Sequence, residues 1–255
     1  MIYLDNAATS FHKPDCVPRA VVEAMQHAGN SGRGSSGEAM AASRLIFNTR
    51  CQIAEMFDIW GPECVAFTSN DTEALNIALQ GTLHPEEETV HAICTEMDHN
   101  SVLRPLYRLE KNGMKLTILP ADCKGRISLT ELEAAIRPET KVIVCTHASN
   151  LTGNLNDIHA IGEIAQKYQK LFIVDAAQTA GVFPISMKKD HIDILCFSGH
   201  KGLMGPQGTG AICVRPGVSV EPLKVGGSGV LTFQREHPQD MPEALEAGTL
   251  NSHGI

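Results

Sequence analysis

Seven short apolar or β-branched runs, most of them separated by segments with helical periodicity, constrain this chain more than any other feature. They are VAFTS (65–69), TVHAICT (89–95), KLTILPA (115–121), KVIVCTHAS (141–149), LFIVDAA (171–177), DILCFSG (193–199) and GAICVRP (210–216). Between them, SLTELEAAI (128–136) sets Ser128 and Glu131 at capping-box spacing ahead of apolar residues. NDIHAIGEIAQKY (156–168) places Ile158, Ile161, Ile164 and Ala165 on one helical face. Strands alternating with helices predict an α/β fold, a seven-stranded and mostly parallel sheet between helices. Only about ten residues join the last two runs, too few for a crossover helix, so an antiparallel pairing is open there.

A chain of 255 residues can bury a substantial core as one large α/β domain or two smaller ones. Its formal charge of −8, with no Lys/Arg run, argues against a nucleic-acid surface. No stretch approaches the ~18 apolar residues of a membrane span, and MIYLDNAATS lacks a signal peptide's apolar core. The eight cysteines are scattered without a C-x-x-C pair, so neither a metal site nor a disulfide framework is indicated. The expectation is a cytoplasmic protein without a membrane or nucleic-acid partner.

In sheets of this kind ligands sit at the C-terminal ends of the strands. Those ends carry Ser69-Asn70-Asp71-Thr72, Glu96-Met97-Asp98-His99, Ser149-Asn150, Asp175-Ala176-Ala177-Gln178 and Ser198-Gly199-His200-Lys201. Each alone reads as a cap or turn; together they read as one site. GRGSSG (32–37) matches a dinucleotide fingerprint, but VPRAVVEAMQHAG before it reads as a helix ending at Gly29. That fingerprint must follow a strand, so the match is set aside, and a nicotinamide-dependent oxidoreductase with it.

An aspartate at one strand end, a lysine at the next and a helix N-terminus beside a threonine suit pyridoxal 5'-phosphate. The lysine forms a Schiff base, the aspartate keeps the pyridine nitrogen protonated, and backbone N–H groups with short hydroxyls hold the phosphate. Lys201, Asp175, the Ser69–Thr72 turn, Ser198 and a stacking His99 are candidates for those roles.

YLDNAAT (3–9), TSNDTEALN (68–76), MDHNSVLRP (97–105), HASNLTG (147–153), VDAAQTAG (174–181), SGHKGLMGPQGTG (198–210) and EAGTLNSHGI (246–255) resemble the class V aminotransferases. The resemblance is strongest to the cysteine desulfurases and desulfurase-like proteins of that family. It implies a fold-type-I large domain over residues 21–255, preceded by an N-terminal arm over 1–20. It implies that Lys201 is the cofactor lysine and proton shuttle, and that His99 stacks on the ring and assists proton transfer. Asp175 pairs with the pyridine nitrogen, and Gln178 donates to the phenolic oxygen. Asn150 lies near that oxygen and the substrate carboxylate, and Ala7 lines the substrate pocket. Thr72, Ser198 and His200 hold the phosphate, and Thr249 reaches the phosphate of a neighbouring subunit in a homodimer.

The implied reaction takes L-cysteine to L-alanine, with sulfur carried as a persulfide on an enzyme cysteine and passed to an acceptor protein, as in iron–sulfur cluster assembly. Two departures stand out. Asp71 replaces a small or neutral residue; it is expected to be an N-cap turned away from the phosphate. None of the eight cysteines has the context of the persulfide cysteine. The motif order places that cysteine and the carboxylate-binding arginine beyond residue 255, so a longer protein with a C-terminal domain is expected. Selenocysteine lysis, transamination, β-elimination and a catalytically incomplete scaffold remain rival readings.

Overall fold

The computed structural model describes residues 2–29, 36–86, 89–231 and 233–255. All seven runs become strands: β1 (Val65–Thr68), β2 (His91–Thr95), β3 (Lys115–Leu119), β4 (Thr140–Thr146), β5 (Leu171–Asp175), β6 (Ile194–Ser198) and β7 (Gly210–Val214). They form one sheet in the order β1-β7-β6-β5-β4-β2-β3. β7 runs antiparallel to both β6 and β1, and the other neighbouring pairs are parallel. The short 199–209 link therefore makes the antiparallel pair that its length left open. Six strands end at one edge of the sheet, and β7 begins there.

Helices α1 (Cys16–His27), α2 (Gly37–Met56), α3 (Asp71–Gln80), α4 (Asn100–Lys111), α5 (Leu129–Ala135) and α6 (Ile158–Lys167) cover the two faces. Ser128 caps α5 by accepting from the Glu131 N–H (3.2 Å), and Asp157 caps α6 through the Ala160 N–H (3.0 Å). Ile158, Ile161 and Ala165 of α6 pack with Leu132, Phe57, Phe172 and Phe197 on one face. Leu75 and Ala78 of α3 and Val102 and Leu106 of α4 pack with Val142, Ile173 and Ile194 on the other. Burying each such large side chain contributes about 1.5–3 kcal/mol.

Successive strand residues face opposite sides. Phe172 and Val174 belong to the α6 side and Ile173 to the α3 side, so Asp175 falls on the α3 side. The same alternation carries Thr146, after Val142 and Val144, and Ser198, after Ile194 and Cys196, to that side. Register then sets Thr146 beside Asp175, and Asp175 beside Cys196. Gly210 lets β7 start tightly against the β1–α3 turn. A Cβ there would lie 2.8 Å from both the Asn70 carbonyl carbon and the Phe197 oxygen.

The segment 2–15 precedes α1 and has no helix or strand, and α1 starts inside the 1–20 stretch expected as an arm. Residues 32–35 of GRGSSG lie outside the described residues, but helices flank the motif on both sides, α1 before and α2 after. Among the described residues, no helix is long and apolar enough to cross a membrane.

Candidate active site

A cavity of about 400 Å³ opens at the C-terminal edge of the sheet. Ala7, Asp71, Thr72, His99, Asn150, Asp175, Gln178, Ser198, His200 and Lys201 all line it. Thr249 does not; it is exposed and borders a separate hollow beside Phe67, Gly208 and Glu246. A larger depression of about 600 Å³ lies beside Trp60, Lys188 and Arg215. Arg215 is paired there with Asp193 (2.6 Å) and Lys188 with Asp58 (3.1 Å), and the strand-end residues are absent from its lining. The strand-end polar residues gather in the smaller cavity.

Short elements hold each wall. β1 turns directly into α3, where Asn70 is the N-cap: its side chain accepts from the Glu73 N–H at 2.9 Å. The expected N-cap role of Asp71 is therefore wrong by one residue. Asp71 is the first helical residue, and its N–H donates to Ser198 Oγ (3.3 Å) while its carboxyl is buried against Asp175. Asn70 outcompetes it because the cap residue must have extended backbone, and the Asn70 φ of −175° supplies that. Burial, then the Asp175 charge, pushes the Asp71 carboxyl well above the usual range, against the pull of Lys201.

Asp175 is itself 2% exposed. Burial raises its pKa, while the Ala177 N–H on Oδ1 (2.9 Å), Lys201 and His99 oppose that rise. His99 caps α4, and its Nδ1 accepts the Ser101 N–H at 3.2 Å. An amide can only donate, so Nδ1 is bare and the neutral ring carries its proton on Nε2. Ser101 Oγ lies 2.9 Å from the same Nδ1 and 2.8 Å from Thr72 Oγ1, linking the two walls.

The arm closes the third wall. The Thr9 hydroxyl (3.1 Å), the Ser10 hydroxyl (3.0 Å) and the Ser10 N–H (3.1 Å) all donate to the His200 carbonyl. His200 Nδ1 also lies 2.9 Å from Thr9 Oγ1. Burial, then Lys201 and Lys13, lowers the His200 pKa, so the ring is neutral in the cavity wall. Gln178 Nε2 donates to the Ala7 carbonyl at 3.0 Å, joining two residues distant in sequence. The loop carrying Lys201 is tied down by Gly199 N–H to Thr209 O (2.9 Å) and Gly205 N–H to Gly199 O (2.8 Å).

Sequence reasoning passed over Asp98, Thr146, Ser101 and Thr9. Asp98 accepts from the Thr95 N–H (2.7 Å), the Thr95 hydroxyl (2.8 Å) and the Thr146 N–H (2.5 Å), fastening the end of β2 to that of β4. Burial nonetheless pushes its pKa up to about 7. The available signal was its position one residue before His99 at a strand end. No cysteine among the described residues lines the cavity. Cys94, Cys145, Cys196 and Cys213 are buried, and burial raises their thiol pKa values, which makes them poor nucleophiles.

Known proteins are similar to the chain along its whole length. A probable cysteine desulfurase of Methanothermobacter thermautotrophicus is 33% identical, over 100% of this chain and 64% of its own length. The cysteine desulfurase IscS of Vibrio atlanticus is 34% identical, over 100% of this chain and 61% of its own. Among solved structures, SspA in complex with cysteine superposes with a TM-score of 0.89 at 29% identity, covering 100% of this chain and 70% of that one. The apo cysteine desulfurase of Thermococcus onnurineus NA1 gives 0.90 at 33% identity, covering 99% and 64%. The chain thus spans somewhat under two thirds of the length of those curated relatives. Matched from residue 2 to residue 255, it belongs to the Aminotransferase class-V family.

Proposed function

We propose that this chain forms the pyridoxal 5'-phosphate-binding part of a cysteine desulfurase-like enzyme. One observation carries the reading: Lys201, Asp175 and His99 line the same cavity as the first turn of α3. The residues fit the cofactor. A buried carboxylate stands at a strand end for the pyridine nitrogen, and a lysine stands in the adjoining loop. Thr72, Ser198, His200 and the α3 N-terminus form a seat for a dianion.

Pyridoxal phosphate, when bound, supplies an aldehyde for the substrate amine and a ring that withdraws electrons from the α-carbon. Lys201 would hold the cofactor covalently and would carry a proton at the substrate's α-carbon. Asp175 keeps negative charge at the pyridine nitrogen. His99, with its proton on Nε2 and its ring set by Ser101, would stack on the cofactor ring and would offer that proton. Gln178 would donate to the phenolic oxygen with an amide that also holds the Ala7 carbonyl, and Asn150 and Ala7 would border the substrate.

The names of the relatives support L-cysteine as substrate. The carbon–sulfur bond breaks, an enzyme thiol takes the sulfur as a persulfide, and Cβ gains the proton that makes L-alanine. Since no cysteine among the described residues lines the cavity, the proposal assigns that thiol to another part of the enzyme. A cytoplasmic homodimer that hands sulfur to an acceptor protein, as in iron–sulfur cluster assembly, completes the reading.

Borohydride reduction of the PLP-loaded protein followed by peptide mapping should place the phosphopyridoxyl group on Lys201; a label on another lysine refutes the assignment. Incubation with L-cysteine should give alanine. Pyruvate with sulfide would select β-elimination instead.

A further inference from the structure

We propose that Asp71 and Asp175 share one proton, Asp71 acting as the acid that donates it and Asp175 as the carboxylate that receives it. Asp71 is then a positioning residue for the charge that meets the cofactor nitrogen, a role that rests on the pyridoxal phosphate reading above.

The backbone forces the encounter. Strand alternation turns Asp175 toward α3, and the β1–α3 turn delivers Asp71 as the first residue of that helix, its N–H fixed on Ser198 Oγ. Asp71 is 6% exposed and Asp175 2%, both line the same cavity, and the Asp175 charge raises the Asp71 pKa. Two ionised carboxylates offer no donor between them, and Asp71 Oδ1 then has no partner at all. A single proton converts that repulsion into a hydrogen bond and removes one buried charge.

The surroundings decide which oxygen keeps it. Asp175 already accepts the Ala177 N–H, and the Lys201 charge favours its ionised form. Asp71 has the Lys201 charge and the α3 N-terminus in its favour, but its Oδ1 accepts no hydrogen bond, and Cys196 of β6 is a neutral neighbour. Asp98, whose own ionisation the Asp175 charge resists, adds negative charge near Asp175 and so opposes a second ionisation. Asp175 therefore stays ionised although buried.

Infrared spectra of the apoprotein at about pH 8, where Asp98 is mostly ionised, test the sharing without cofactor. The carbonyl stretch of an un-ionised carboxylic acid should be present in the wild type and absent from Asp71→Asn. Equilibrium dialysis with pyridoxal phosphate gives the second readout. Asp71→Asn, which still donates to Asp175, should bind within about threefold of wild type, and Asp71→Ala should bind about tenfold more weakly. A wild type without the band, or an alanine variant that binds as tightly as the asparagine variant, overturns the proposal. The expected band in a protein that binds no pyridoxal phosphate upholds the shared proton and refutes the cofactor reading alone.

Discussion

The Arg50 guanidinium grips the Glu246 carboxylate through two parallel hydrogen bonds, 2.8 and 2.7 Å long, with both side chains nearly buried. Glu246 Oε1 also accepts the Phe67 N–H at 2.6 Å, and the guanidinium lies 4.7 Å from the centre of the Phe67 ring. This pair fastens the irregular C-terminal stretch to β1, the edge strand that leads into α3.

Removing one partner leaves the other charged and dry. Glu246→Ala is expected to cost about 3–5 kcal/mol, because Arg50 keeps its charge and loses its counter-ion. Urea unfolding monitored by circular dichroism measures this. A loss no larger than that of an exposed salt bridge, about 1 kcal/mol or less, would show that water reaches Arg50.

Asp175→Asn preserves the shape of the site and removes the charge at its floor. The affinity for pyridoxal phosphate is expected to fall about tenfold to a hundredfold, the worth of a charge-assisted hydrogen bond in a dry site. Equilibrium dialysis measures the change, and equal affinity for both proteins would remove Asp175 from the role of nitrogen partner.

The strands were legible because β-branched runs bounded by turn residues have few alternatives. The site was legible because ligands gather at strand C-termini, and alternation turned Asp175 and Ser198 to one face without reference to any partner. What eluded the sequence was pairwise. Asn70 and Asp71 are both competent caps, and only the backbone angle at residue 70 selects between them. Asp98 works by bridging β2 and β4, a relation invisible until the order of strands in the sheet is known. His99 was legible as a strand-end histidine, yet its tautomer depends on an amide two residues further on.

Asp98 carries a pH signature. Its pKa is raised from the usual value near 4 to about 7, so between those values the folded protein holds a proton that the unfolded chain has released. That contribution to stability is fully present below about pH 4 and is lost as the pH rises through about 7. Asp98→Asn cannot titrate. The wild type should therefore lose stability relative to this variant across that window, by up to about 1.4 kcal/mol per pH unit. Unfolding of both proteins at several pH values measures the difference, and parallel stability curves would place the Asp98 pKa back in the ordinary range.

Thr249 lies outside its own chain's cavity, on a stretch held by Glu246 on Arg50 and by Asn251 Nδ2 on the Gly208 carbonyl (3.2 Å). The contact with a cofactor phosphate that the resemblance implies for it is therefore expected across a second subunit. Complementation between two defective chains separates this from a purely local role. Lys201→Ala chains lack the lysine, and Thr249→Ala chains lack the threonine that they would lend to a partner. Each variant alone is expected to retain pyridoxal phosphate poorly. In a mixed dimer, the site containing Lys201 would receive its threonine from the Lys201→Ala chain and would be intact. Mixing the two proteins under conditions that allow subunit exchange should restore tight, borohydride-reducible binding in that site. No restoration despite demonstrated exchange, or a protein that stays monomeric by light scattering while binding the cofactor normally, would confine Thr249 to its own chain's C-terminal turn.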